Sequence, residues 1–126
     1  MNQRMACAIV GHNVAAFDLR FLVQRYIVNQ VRPHPILLRA AQAKPWETDK
    51  VYDTMLQWAG LKNTISLDDL CLALSLPGKG EITGADVWPM VQKGCLEEIA
   101  EYCADDVVKT RAVYWVMTFA HLERQA

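Results

Sequence analysis

A tyrosine and an aspartate in the last third of the chain have types and a spacing that could serve metal-dependent hydrolysis. Tyr102 and Asp106 stand four residues apart within the stretch 95–117, so a helix there places one above the other on a single face. The carboxylate could hold a divalent cation, and the phenol could position a water molecule. These two residues alone leave an alternative open, a solvated acid beside a half-buried tyrosine, because polar pairs at this spacing are common on helix surfaces.

The helix that must carry this pair is predicted by the hydrophobic pattern of residues 95–117. Apolar or small side chains recur every three or four residues, which is the period of a helix buried along one stripe. Tyr102 and Asp106 interrupt this pattern, and charged residues occupy much of the remaining surface. The predicted buried stripe consists of Leu96, Ile99, Cys103, Val107, Thr110 and Tyr114.

A second candidate acid, Asp18, follows the first apolar segment of the chain. Residues 6–10 are typical of a short buried strand that ends at Gly11, and Asn13 is predicted to cap the helix that follows. Asp18 falls in the first turns of that helix, near the carboxyl end of the strand, where sites form in open α/β sheets. The position leaves open whether Asp18 faces a ligand or complements the helix dipole.

Helices dominate the rest of the chain. Val51 and Tyr52 predict a second short strand, after which Asp53 caps a helix that ends at Gly60. Ser66 begins another helix with an approximate capping box, residues 86–93 form a short helix closed by a glycine, and residues 35–43 hold a strand stub or one helical turn. The glycine-rich segment 77–84 lacks the spacing of a phosphate loop and is interpreted as a connector.

Length and composition describe one globular domain over residues 1–126. The chain is 52% hydrophobic and 21% charged, and no apolar run approaches the roughly 20 residues that cross a bilayer. With a poor signal peptide at its N-terminus, we expect a cytoplasmic protein without membrane association. The net charge of −1 gives no overall basic footprint for nucleic acid. The four cysteines form no CxxC pair, which argues against a structural zinc site.

Two segments together resemble known exonuclease motifs. GHNVAAFDLRFL carries Asn-x3-Phe-Asp before an apolar helix, and YCADDVVKT carries Tyr-x3-Asp before Val and Thr. In this order they resemble the second and third motifs of the DEDD 3′–5′ exonucleases, in the tyrosine (DEDDy) branch. The intervening VYDTM, SLDDLCLALSLPGK and GADVW resemble the group related to the exonuclease domain of family-B DNA polymerases. The resemblance covers roughly residues 8–118.

The resemblance implies a truncated α/β fold of the ribonuclease-H-like class, mostly helical with a short remnant of the sheet. It implies stepwise hydrolysis from a nucleic-acid 3′ end, with single-stranded DNA favoured, and two Mg²⁺ or Mn²⁺ ions held by four carboxylates. Asp18 and Asp106 match two of these metal ligands, with Asp105 as a competitor for the second. Tyr102 matches the residue that orients the attacking water or helps to deprotonate it. The remaining matches, Asn13 and Phe17, would support the turn that presents Asp18 by capping and packing it.

The sequence departs from the family pattern at its first motif, an Asp-x-Glu pair on an opening strand. The first carboxylate in the chain is Asp18, and no Asp-x-Glu occurs anywhere. We therefore expect catalysis only within a longer chain or assembly. Because an exposed strand edge invites pairing, we expect residues 6–10 to be paired in a homo-oligomer or with a missing N-terminal segment, or covered by the chain itself. Two alternatives remain, an inactive module that binds nucleic acid or protein, and a helical interaction domain of another class.

Overall fold

The computed structural model describes residues 7–78 and 84–123. These residues are mostly helical and include a small two-stranded parallel sheet, an arrangement compatible with a truncated α/β exonuclease-like domain. The chain divides into two compact units, Met1–Ile65 and Ser66–Ala126, and each is described by itself. Two such units can belong to one domain, so the single domain expected over 1–126 stays a prediction.

The N-terminal unit is built around the two parallel strands. Its elements are β1 (Ile9–Gly11), a π-helical turn (Val14–Asp18), α1 (Leu19–Val28), α2 (Pro35–Ala41), β2 (Val51–Asp53) and α3 (Thr54–Ala59). In the sheet, Ile9 lies opposite Val51 and Gly11 opposite Asp53. The buried residues of this unit include Val14, Leu19, Ala40 and Val51.

The prediction of a strand at 6–10 is confirmed for its last residues, and the strand continues through Gly11; residue 6 lies outside the described residues. In the described ranges, β2 is the strand that neighbours β1. The expected pairing with another chain or with a missing segment therefore stays a prediction. The strand at Val51–Asp53 is confirmed, and residues 35–43 supply α2 as a helix.

The turn after β1 differs from the prediction in two respects. Asn13 adopts a left-handed conformation with φ 57°, and its side chain makes no capping hydrogen bond, so its predicted capping role is wrong. The predicted packing role of Phe17 is also wrong, because its side chain is 64% exposed. The physical reason is a π-helical start, in which the Leu19 N–H donates to the Val14 carbonyl five residues back.

The end of α1 determines the direction of the chain toward α2. Gln30 is left-handed with φ 56°, the Gln30 N–H donates to the Ile27 carbonyl, and the Val31 N–H donates to the Tyr26 carbonyl, each at 3.0 Å. These two bonds form a Schellman motif with a non-glycine residue at C′. The chain then reaches Pro35, which opens α2.

The regular elements among the described residues of the C-terminal unit are all helices. It contains α4 (Leu67–Ala73), α5 (Gly84–Gln92), α6 (Leu96–Met117) and α7 (Ala120–Glu123), and both α4 and α5 pack against α6. The Ser66 side chain caps α4 by accepting from the Asp69 N–H at 3.1 Å, and Gly94 closes α5 with φ 76°. Most of the predicted glycine-rich connector, residues 79–83, lies outside the described residues.

The helix predicted at 95–117 is confirmed, but its predicted buried stripe is partly wrong. Cys103 is exposed, and Leu96 and Val107 are 65% and 67% exposed. The less exposed side, called here the sheltered face of α6, consists of Ile99, Tyr102, Asp106, Lys109 and Val113. Apolar residues occur on more than one side of this helix, and α4 packs beside Lys109, whose ammonium lies 3.6 Å from the Asp68 carboxylate. The polar pair therefore lies on the sheltered side.

Among the helices in the described ranges, none combines the length and the apolar character that crossing a membrane requires.

Candidate active-site residues

The Tyr102–Asp106 pair lies on the sheltered face of α6, one turn apart. The Tyr102 hydroxyl donates a hydrogen bond to the Asp106 carboxylate. One turn further on, the Thr110 hydroxyl donates to the backbone carbonyl of Asp106 at 2.7 Å. The phenol and the carboxylate thus form a hydrogen-bonded pair with both side chains partly buried, and their role in metal-dependent hydrolysis stays a prediction.

The surroundings of Asp106 disfavour its charged form. Partial burial raises the pKa of Asp106, and the charges of Asp68 and Asp105 add to this rise, while Lys109 and the Tyr102 hydrogen bond oppose it. The Lys109 ammonium lies 3.1 Å from the Asp105 carboxylate and 3.6 Å from that of Asp68. The cation is therefore engaged by the neighbouring acids. A carboxylate with a raised pKa among other acids is a position where an added cation is favoured.

The same geometry distinguishes Asp106 from Asp105, the other candidate for this metal ligand. Asp105 forms an ion pair with Lys109 and lies on the exposed side of the helix. Asp106 accepts from Tyr102 and lies on the sheltered face. The Asp106 carboxylate is thus the one presented together with the phenol, which supports its selection over Asp105.

The environment of Tyr102 favours its protonated form. Burial raises the pKa of the phenol above its usual value of 10.0, and the charge and hydrogen bond of Asp106 raise it further. Tyr102 is therefore neutral near pH 7 and can donate or accept hydrogen bonds. This state suits a residue that orients a water molecule better than one that removes a proton from it.

Asp18 is the last residue of the π-helical turn and lies at the start of α1. Its side chain is exposed, but partial desolvation raises the pKa of its carboxyl group. The negative charge of Asp53 adds to the rise, and a hydrogen bond with its own backbone opposes it. π-Helical turns are rare and occur frequently at functional sites. Asp18 thus lies at an unusual backbone feature, near the carboxyl ends of both strands.

Asp53 supports this turn in a way that the sequence did not reveal. The Asp53 carboxylate is almost fully buried and accepts from the backbone N–H groups of Asn13 at 2.9 Å and Ala15 at 3.1 Å. It also caps its own helix, as predicted, by accepting from Met55 at 3.0 Å and Leu56 at 3.3 Å. The two carboxyl ends of the parallel strands are thereby joined by one side chain.

His12 is a second supporting residue that sequence reasoning missed. Its Nε2 lies 2.6 Å from the Ile65 carbonyl, and its Nδ1 lies 2.8 Å from the Thr54 hydroxyl. A carbonyl oxygen can only accept, so Nε2 carries a proton. The imidazole therefore fixes the turn after β1 against α3 and the segment before α4. A histidine after a short strand has no sequence signal for contacts 42 and 53 residues away.

The carboxylates suit Mg²⁺ or Mn²⁺ in kind, since these hard cations prefer oxygen ligands. A two-ion site, however, needs four carboxylates. Within residues 7–78 and 84–123, no three or more His, Cys, Asp or Glu side chains are grouped so that they could hold a metal ion. The described side chains alone therefore do not form the four-carboxylate site that the resemblance implies.

Comparison with known proteins identifies the family. A search of curated proteins and a search of solved structures each gave no match. A family model described as a predicted 3′–5′ exonuclease related to the exonuclease domain of PolB matches residues 1–125, which is nearly the whole chain. The chain therefore belongs to this family of predicted exonucleases.

Proposed function

We propose that this chain supplies one part of a 3′–5′ exonuclease site, in which Asp106 and Asp18 are metal ligands and Tyr102 orients the attacking water. The observation that carries the proposal is the hydrogen-bonded Tyr102–Asp106 pair on the sheltered face of α6, in a chain whose family is that of predicted exonucleases. The fold that the family implies is a truncated ribonuclease-H-like domain, and the reaction is hydrolysis of the terminal phosphodiester of a nucleic acid.

Each of the three candidate residues has a distinct role in the proposed site. Asp106 offers an oxygen ligand whose negative charge lacks full compensation, because Lys109 is paired with Asp105 and Asp68. Tyr102, protonated at neutral pH, holds Asp106 in place and offers its hydroxyl oxygen to a water molecule. Asp18 offers a second carboxylate. Two Mg²⁺ or Mn²⁺ ions, when bound in an intact site, would stabilise the charge on the attacking and leaving oxygens.

The number of carboxylates leads to the second part of the proposal. Four acids complete a site of this kind, and the sequence contains no Asp-x-Glu. We expect hydrolysis only within a longer chain or assembly that adds such a pair. The substrate that we expect is the 3′ end of single-stranded DNA, in the cytoplasm.

The test uses a strand labelled at its 5′ end, incubated with Mn²⁺ and with the chain joined to a segment that carries Asp-x-Glu on an apolar strand. We expect products that shorten stepwise from the 3′ end. Asp106→Asn should abolish the shortening, and Asp105→Asn, the matched control one residue away, should retain it. Equal activity of the two variants would contradict the assignment of Asp106.

A second candidate function is favoured by the lack of three grouped ligands among the described residues. In this alternative, the chain is an inactive exonuclease-like module that binds nucleic acid or protein. It predicts that the completed protein binds the labelled strand but leaves its length unchanged in Mn²⁺. Gel electrophoresis of the labelled strand, which shows its length, distinguishes the two functions.

A further inference from the structure

The N-terminal unit contains a long segment with several basic residues and no acidic ones. Between Asp18 and Glu47 the sequence contains no acidic residue and five basic ones, Arg20, Arg25, Arg32, Arg39 and Lys44. Arg39 lies 3.7 Å from the Asp49 carboxylate. Arg20, Arg25 and Arg32 are exposed, and among the described residues none of the three forms an ion pair. These three charges are available to an anionic partner, although the whole chain carries a net charge of −1.

A groove lies along this basic segment, called here the α1–α2 groove. Its volume is about 530 Å³, and it is lined by Val23, Tyr26, Ile27, Arg32, Pro33, Pro35 and Leu38. The walls are thus apolar, with one aromatic ring and one guanidinium group. Ile27 is 68% exposed, so the groove is open to a ligand from outside. The Schellman turn at Gln30 directs the chain back along α1 and brings Arg32 to the groove.

Arg20 supplies a second positive charge on α1, one turn before Val23 of the groove wall. It precedes Val23 by three residues and Ile27 by seven, so all three lie on one face of α1. Asp18, the candidate metal ligand, lies two positions before Arg20 and nine positions before Ile27. That separation corresponds to about 13 Å along a helix. An extended ligand of a few units could therefore reach from Asp18 past Arg20 into the groove.

We propose that the α1–α2 groove binds single-stranded nucleic acid, with a base against Tyr26 and backbone phosphates on Arg20 and Arg32. Positive side chains that follow a backbone, together with an aromatic ring on which a base stacks, are the usual elements of such sites. This inference rests on the proposed function in taking a nucleic acid as the anion. It adds the residues that hold the strand away from the site of hydrolysis.

The charges favour a polyanion over a second copy of the chain as the occupant. If two copies met groove to groove in a symmetric dimer, each arginine would face the equivalent region of its partner. The exposed positive charges would then repel one another. A nucleic-acid backbone supplies the opposite charge at regular intervals.

The test measures binding of the full 126-residue chain to a fluorescein-labelled twelve-nucleotide oligothymidylate by fluorescence anisotropy, with EDTA present so that no hydrolysis occurs. For a single strand, each phosphate contact contributes about 0.7 to the slope of log K against log salt. Arg20→Ala and Arg32→Ala should each weaken binding about fivefold at 0.1 M salt and reduce the slope by about 0.7. Tyr26→Ala should weaken binding by about fivefold or more, and Tyr26→Phe should bind like the wild type.

Arg111→Ala is the matched control, because Arg111 is an exposed arginine on α6 outside the groove. It should bind like the wild type. The inference is overturned if the Arg20 and Arg32 variants bind as tightly as Arg111→Ala, or if the chain fails to bind the oligonucleotide and instead self-associates in sedimentation. Thermal melting of the Tyr26 variants separates unfolding from loss of contact, and Arg20→Glu, at an exposed position, tests the charge independently of packing.

The outcome is distinguishable from that of the proposed function. Binding in EDTA that depends on Arg20 and Arg32, without hydrolysis by the completed site in Mn²⁺, supports the groove and contradicts the exonuclease. Hydrolysis that requires Asp106 but does not depend on Arg20 or Arg32 supports the exonuclease function. It overturns the proposal that the α1–α2 groove binds the strand.

Discussion

A hydrogen bond of 2.9 Å joins the Asp53 carboxylate to the backbone N–H of Asn13, 40 residues earlier in the chain. The second carboxylate oxygen accepts from Ala15 at 3.1 Å, so one side chain holds the start of the π-helical turn. The same side chain caps α3. The position of Asp18 therefore depends on a residue at the end of the neighbouring strand.

Replacement of Asp53 by alanine should destabilise the protein strongly. The change leaves four backbone N–H groups without their acceptor at two helix starts. Loss of one capping side chain costs about 0.5–2 kcal/mol, so we expect a decrease of about 2–4 kcal/mol in the free energy of unfolding, measured by urea denaturation. The control is Asp49→Ala, which removes only an exposed ion pair with Arg39 and should cost less than about 1 kcal/mol. Equal losses for the two variants would contradict the dual capping.

Truncation of two valines on α6 tests which side of the helix is sheltered. Val113 is fully buried, and Val107 is 67% exposed. Val113→Ala removes two buried methyl groups and should cost about 1–3 kcal/mol, while Val107→Ala should change stability by no more than about 0.5 kcal/mol. Denaturant unfolding of both variants checks the difference. A larger loss at Val107 would restore the stripe predicted from the sequence.

Removal of the charge of Asp106 should stabilise the protein at neutral pH. Because the folded-state pKa of Asp106 lies above the usual 3.8, the contribution of this group to stability is fully present below about pH 3.8 and is lost as the pH rises through the raised value. The asparagine of Asp106→Asn does not ionise, so the variant does not lose this stability as the pH rises. Its melting temperature should exceed that of the wild type at pH 7, and the difference should shrink as the pH falls toward 3.8.

The control for this pH dependence is Asp105→Asn, which breaks the ion pair with Lys109 and should bring no gain at pH 7. An Asp106 variant less stable than the wild type at pH 7 would contradict the raised pKa. The expected gain also has a functional meaning, since residues retained for chemistry often reduce stability.

Replacement of Tyr102 by phenylalanine should separate positioning from metal binding. The variant keeps the ring and loses the hydrogen bond to Asp106. We expect kcat of the completed exonuclease to fall by about 10²-fold or more, a loss in the range of a general catalytic contact, with Mn²⁺ binding nearly unchanged. Single-turnover hydrolysis and calorimetry measure the two quantities. A parallel loss of metal affinity would show that the phenol acts on the ion site instead.

Local sequence signals predicted most of the elements and the pair on α6. Caps at Asp53 and Ser66, glycines at 60 and 94, and the short apolar runs of both strands each act within a few residues. The missed features depend on distant contacts. The π-helical turn requires Asp53 from 38–40 residues away, and His12 reaches Ile65. The stripe on α6 was misassigned because apolar spacing does not show which side a neighbouring helix covers.

The most direct test of the central claim is Mn²⁺ binding, measured by electron paramagnetic resonance, by the chain joined to the segment that carries Asp-x-Glu. The proteins compared are the wild type, Asp18→Asn, Asp106→Asn and the double variant. If the two acids serve one ion site, each single change should weaken binding about tenfold or more, and the double change should add little to either. Asp105→Asn should bind like the wild type. Independent, additive losses at 18 and 106, or unchanged binding in either single variant, would contradict the claim that these acids belong to one exonuclease site.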